Sequence, residues 1–134
     1  MPFTTTSQIL HDGERNVIMQ FTGVGDGESV ESNVVKVDVS ALVPPARSVK
    51  IRECRYDVYG GLLRLLWGTE QQPVEFLVLS RANVLKWHRQ GGLSNAGVAY
   101  PTGDILFSAS GFGAGDSYSV TLEMVKQFAP TVVQ

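Results

Sequence analysis

Trp87-His88-Arg89 is the stretch of this chain whose side chains could do chemistry together. An aromatic ring, an imidazole and a guanidinium side by side can stack on a sugar or hold an anion. Tyr59 and Tyr100 would complete a sugar platform, although no spacing requires it. The plainer reading is a strand end that packs Trp87 and leaves His88 and Arg89 in water, as amphipathic side chains usually do. Other groups offer less. His11 and Asp12 are adjacent, so an extended chain points them to opposite faces. There is no His-x-His and no second cysteine, so metal-ligand spacing is missing. Asp26, Glu28 and Glu31 occupy a glycine-rich loop without the ligand pattern of a calcium loop.

Gly111-Phe112-Gly113-Ala114-Gly115 looks like a phosphate loop, but it lies between two strand-like runs. No helix N-terminus follows to receive the phosphate, so the run reads as a turn. Asp104 and Asp116 flank that hairpin, and Glu123 lies on the polar face of the last strand. Nothing isolates two of them as a glycosidase pair. Cys54, the single cysteine, sits between Glu53 and Arg55 in a strand-like run and can form no intrachain disulfide. It reads as a buried filler in a chain assembled in a reducing compartment. A catalytic thiol would need a histidine nearby, and His11 and His88 are distant in sequence. These residues predict no catalytic group, no cofactor site and no metal site, and so no enzyme.

The elements that carry these residues are strands. Short Val- and Leu-rich runs alternate with glycine-centred breaks along the whole chain, the pattern of an all-β domain. Val17, Met19 and Phe21 alternate with polar partners, as do Val35, Val37 and Val39, and then Tyr118, Val120, Leu122 and Met124. Pro44-Pro45 stops the second of these runs. The alternation slips phase between Ile51 and Cys54, which predicts a β-bulge. Gly60-Gly61 is expected to turn the chain back, and Thr69 to Pro73 to form a hairpin loop. Asn83 to Arg89 reads as either a helical turn or an irregular strand. About eight strands result. The expected fold is a two-sheet antiparallel β-sandwich, jelly-roll-like, with an immunoglobulin-like sandwich as the second reading.

Two successive strands, Leu62 to Trp67 and Val74 to Leu79, are apolar on both sides. A two-layer sandwich buries only one face of each sheet, so the other face calls for a partner. Leu62, Leu66, Leu77 and Leu79 are therefore the interface candidates, and Trp87, His88, Arg89 and Tyr100 the candidate ligand contacts. At 134 residues the chain reads as a single domain, 1–134, with residues 1–10 and 129–134 as extended arms, Thr4 to Leu10 reading also as an edge strand. Apolar residues make up 43% and charged residues only 18%, below the usual quarter. The net charge of −2 is spread thinly, without the basic footprint that nucleic acid or an anionic membrane requires. The opening Met-Pro-Phe-Thr-Thr-Thr lacks the basic and apolar regions of a signal peptide, and no apolar run is long enough to span a bilayer.

Three segments carry a resemblance. They are Thr6-Ser7-Gln8-Ile9-Leu10-His11-Asp12-Gly13-Glu14-Arg15-Asn16-Val17, Gly61-Leu62-Leu63-Arg64-Leu65-Leu66-Trp67 and Ser119-Val120-Thr121-Leu122-Glu123-Met124-Val125-Lys126. With the Gly91 to Gly97 loop, they resemble small virion proteins of tailed bacteriophages, of the head decoration or cement type. The resemblance implies a β-sandwich that sits on the head and clamps neighbouring capsid subunits. It implies the major capsid protein or other virion proteins as partners, a homo-oligomer (dimer or trimer), and assembly into the virion in the host cytoplasm. It carries over no site residue. A neck or tail component and a carbohydrate-binding β-sandwich module stand as alternatives.

Overall fold

The computed structural model describes residues 4–25, 27, 31–95, 98 and 100–128. Residues 129–134, expected to form an arm, lie outside that set, as do Asp26 and Glu28. The described chain is strand almost throughout: β1 (Thr4–Asp12), β2 (Asn16–Val24), β3 (Glu31–Val37), β4 (Ser48–Thr69), β5 (Val74–Lys86), β6 (Pro101–Ser110) and β7 (Ser117–Gln127). Two short 3-10 turns, Val39–Ala41 and His88–Gln90, interrupt it.

Every pairing is antiparallel, and β4 is the hinge of the whole arrangement. Its first part, residues 48–59, pairs with β7. Its second part, residues 62–69, pairs with β6. β5 folds back along both parts. One sheet therefore runs β1-β2-β7-β4-β5 and the other runs β3-β6-β4-β5, with β4 and β5 bending from one into the other. Each bent strand serves as two, so the winding is that of a jelly roll with one added edge strand, β1. Residues 4–10, expected to form an arm, are the strand β1 and pair with β2 of the same chain.

Gly60-Gly61 does not turn the chain back. It is the corner at which β4 passes from the first sheet to the second, and the ladder with β5 breaks there between Val58 and Leu63. Gly60 has φ +93°, which side chains rarely adopt. A Cβ on it would overlap the Asp116 carboxylate, and one on Gly61 would overlap the Phe112 ring. The pair lets the β6–β7 turn press directly onto the bend.

The expected bulge is present: Ile51 faces Met124 and Glu53 faces Glu123, leaving Arg52 as the extra residue. It restores the phase, so Val49, Ile51, Cys54 and Val58 all face inward and are 0–3% exposed. From the opposite strands of this sheet come Val17, Phe21, Tyr118, Val120, Leu122 and Met124. The second sheet supplies Val37, Leu63, Leu65, Trp67, Leu79, Ile105, Phe107 and Ala109. The two layers meet at Phe21 and Phe107, whose rings stand edge to face with centroids 5.0 Å apart. Asn83 to Lys86 completes β5 as strand, and the helical turn begins after it, at His88–Gln90.

Candidate functional site

The inside of the roll is filled by the apolar side chains named above, with Trp67 and Phe76 stacked at 4.1 Å in the same cluster. Cys54 is fully buried there, and burial pushes its thiol up to about 12, so it is a protonated filler at neutral pH. Among the described residues, no three His, Cys, Asp or Glu side chains converge as a metal site would need.

Lys126 carries a charge into this interior. Lys126 continues the inward row of β7, and its side chain is 0% exposed. Its ammonium lies 2.7 Å from Asp12 Oδ1 and donates to the Pro44 carbonyl at 2.9 Å. Asp12 Oδ2 accepts from the Val43 N–H at 2.9 Å. Burial alone would raise the Asp12 carboxyl. The hydrogen bond and charge of Lys126 and the Val43 N–H outweigh that and hold it below its ordinary 3.8. The clasp ties the β1–β2 end, the Pro44 crossing and β7 together. Asp104 behaves oppositely: burial raises it, the Asp38 charge adds to the rise, and the Val39 N–H at 3.1 Å only partly offsets them.

The sequence-predicted contacts are not brought together. Trp87 is half-buried against the core at the end of β5. Its N–H donates to the Arg52 carbonyl at the bulge, at 2.8 Å. His88 is drawn to the same bulge, with Nδ1 3.1 Å from the Arg52 guanidinium and Nε2 3.8 Å from Glu53. Arg89 faces solvent. Tyr100 precedes β6 in the other sheet, where its carbonyl accepts from the Glu70 N–H at 3.0 Å. No platform of Trp87, His88, Arg89 and Tyr100 results.

The interface candidates divide. Leu79 pairs with Leu63 and is 0% exposed; Leu77 pairs with Leu65 and is half-buried against the core. Both belong to the inner face, which corrects their assignment to an outward interface. Leu62 and Leu66 do lie on the outer face, since their neighbours Leu63 and Leu65 point inward. Beside them lie Leu106, Val35 and Val78, placed by the pairs Leu66–Leu106, Val35–Leu106 and Arg64–Val78.

Val35 and Val78 stand about half exposed on this face, and Leu62 at 39%. In their midst Arg64 and Glu75 form an exposed ion pair at 3.1 Å. Val78 is not among the interface candidates that the sequence predicts. The ladder shifts between Leu65 and Leu66, so Glu75 and Leu77 are paired while Phe76 is the extra residue and stacks on Trp67. The extra residue moves Val78 to the outside. A single phase change among the consecutive apolar residues Phe76 to Leu79 leaves no mark in the sequence pattern.

No family model matches the chain, and none of the curated proteins matches it. Solved structures do. A cupin domain from Bordetella pertussis Tohama I aligns over 91% of this chain and 93% of its own, at 11% identity and TM-score 0.38. A cupin superfamily protein from Desulfitobacterium hafniense DCB-2 aligns over 94% and 79%, at 16% identity and TM-score 0.36. A polyketide cyclase from Streptomyces resistomycificus aligns over 94% and 72%, at 12% identity and TM-score 0.29. Likenesses at these scores carry no functional argument. The all-β, jelly-roll description of this chain rests on its own strand pairing.

Proposed function

We propose that this chain is a structural virion protein, a decoration or cement protein of a tailed-phage head. In this reading it docks on the major capsid protein and clamps neighbouring subunits. The observation that carries it is the division of apolar side chains. The roll is filled inside, and Val35, Leu62 and Val78 remain exposed together on the outer face of the β3-β6-β4-β5 sheet. A docking module needs a rigid scaffold and an apolar patch to bury, and it needs no catalytic step. The Arg64–Glu75 pair among the apolar groups would give the contact its register. Self-association as a dimer or trimer uses the same kind of surface.

Quantitative mass spectrometry of gradient-purified particles tests the reading. A copy number comparable to that of the major capsid protein is expected. A handful of copies moves the protein to the neck or tail, and absence from particles overturns the virion reading. Val78→Asp then tests the face itself. Normal folding with loss of particle binding is the expected result, and unchanged binding assigns the contact elsewhere.

A further inference from the structure

A second group of charges stands on the outward side of the sheet end that holds Lys126. Arg15 from the β1–β2 turn and Lys50 and Arg52 from β4 line a concavity of about 310 Å³, with Val125 and Gln127 of β7 and the backbone of Gly91 completing it. Lys126 borders it as well, but its charge is committed to Asp12. Among the described residues, no carboxylate lines the concavity. Among the described residues, no ion pair involves Arg15, Lys50 or Arg52. In a chain of net charge −2, this is a local reversal of sign.

The bulge builds it. Lys50 points outward, Ile51 inward, and the extra residue puts both Arg52 and Glu53 on the outer side. Glu53 is then occupied by Arg55 at 3.5 Å, Lys86 at 4.0 Å and His88 at 3.8 Å. Arg52 meets the imidazole Nδ1 of His88 instead. A neutral ring nitrogen that accepts one guanidinium N–H orients Arg52 without cancelling its charge. The 88–93 loop is pinned alongside by a bridge between Ile51 and Leu93. Gly92 lets it sit close, because a Cβ there would stand 2.8 Å from the Lys50 Cβ.

We propose that this concavity is an oxyanion site for a phosphate dianion, either free or carried as a small phosphomonoester. Three uncancelled cations exceed what a single carboxylate balances. Two planar guanidinium forks and one ammonium suit a tetrahedral group with several acceptor oxygens. The volume lies at the lower end of small-ligand sites, room for a phosphate and a short substituent. The site stands independently of the virion reading, which rests on the other sheet.

The test is an amide and guanidinium NMR titration of the full chain with inorganic phosphate and with glycerol phosphate, against chloride at matched ionic strength. Saturable shifts at Gly91, Val125 and Gln127 with either phosphate are expected, and whichever binds more tightly identifies the source. Arg52→Gln or Lys50→Gln should weaken binding roughly tenfold, the worth of one charge-assisted hydrogen bond. Arg64→Gln, in the other sheet, should leave it unchanged. Shifts that follow ionic strength alike in chloride overturn the proposal. So does undiminished phosphate affinity in an Arg52→Gln/Lys50→Gln protein whose spectrum stays folded.

Discussion

Lys50 and Lys126 lie one register position apart on paired strands and have opposite fates. Lys50 pairs in the ladder with Val125 and points outward; Lys126 pairs with Val49 and points in. Outside, Lys50 shares an open concavity with Arg15 and Arg52, and water offsets their mutual repulsion. Inside, Lys126 is wholly desolvated, so it must find a carboxylate and a carbonyl in hydrogen-bonding range. The lesson is that the side of the sheet sets whether a charge is structural or available. The same division separates Leu79 from Val78 on β5, the one fully buried and the other half exposed.

The largest effect should come from that second pair. Leu79→Ala leaves a cavity between the layers and should cost about 4 kcal/mol, whereas Val78→Ala should cost under about 1 kcal/mol. Urea denaturation of the two proteins measures the gap, and equal losses would break the inside–outside distinction. Asp12→Asn removes the counter-charge of the buried Lys126 ammonium and leaves it only neutral oxygens, the Pro44 carbonyl among them. We expect a loss of about 3 kcal/mol, the low end for a broken buried pair because Asp12 keeps a solvent-facing edge. A double variant, Asp12→Asn with Lys126→Met, should recover much of it, and the double-mutant cycle isolates the pair.

Acid sharpens the comparison. Asp12 is held below 3.8 in the fold, so its contribution is complete above that pH and is lost as pH falls through its folded value. Asp104 is raised above 3.8, so it contributes in the opposite sense: the folded state takes up its proton first and gains stability as pH falls through that interval. Denaturation midpoints measured across the carboxylate range should therefore fall in acid for the native chain and fall less for Asp12→Asn. Asp104→Asn should steepen the acid loss. Cys54, protonated to about 12 and buried, should react with thiol reagents only at the rate of unfolding. Fast labelling of the folded chain would mean that the interior opens locally. The smallest effect belongs to the outer charges. Arg52→Gln should change stability by less than about 0.5 kcal/mol, whatever it does to phosphate binding.

Much of the architecture is legible in the residues. The alternation in Val17 to Phe21 and Tyr118 to Met124 marks strands that the structure places with the buried row inward. The phase slip between Ile51 and Cys54 locates the bulge that later positions Arg52. These are local properties, because a period of two and its interruption are set within a single strand. Other features belong to tertiary structure alone. Alternation says which residues share a face but not which face is covered, so the apolar run of β5 could not separate Leu79 from Val78. Gly60-Gly61 permits a sharp bend, yet the packing of Phe112 and Asp116 decides that it is a corner between sheets rather than a turn. Asp12 and Lys126 are far apart in the chain, and so are Arg15 and Arg52. Neither pair announces itself in sequence, because only the strand order β2-β7-β4 brings them to one end of one sheet, on its two opposite sides.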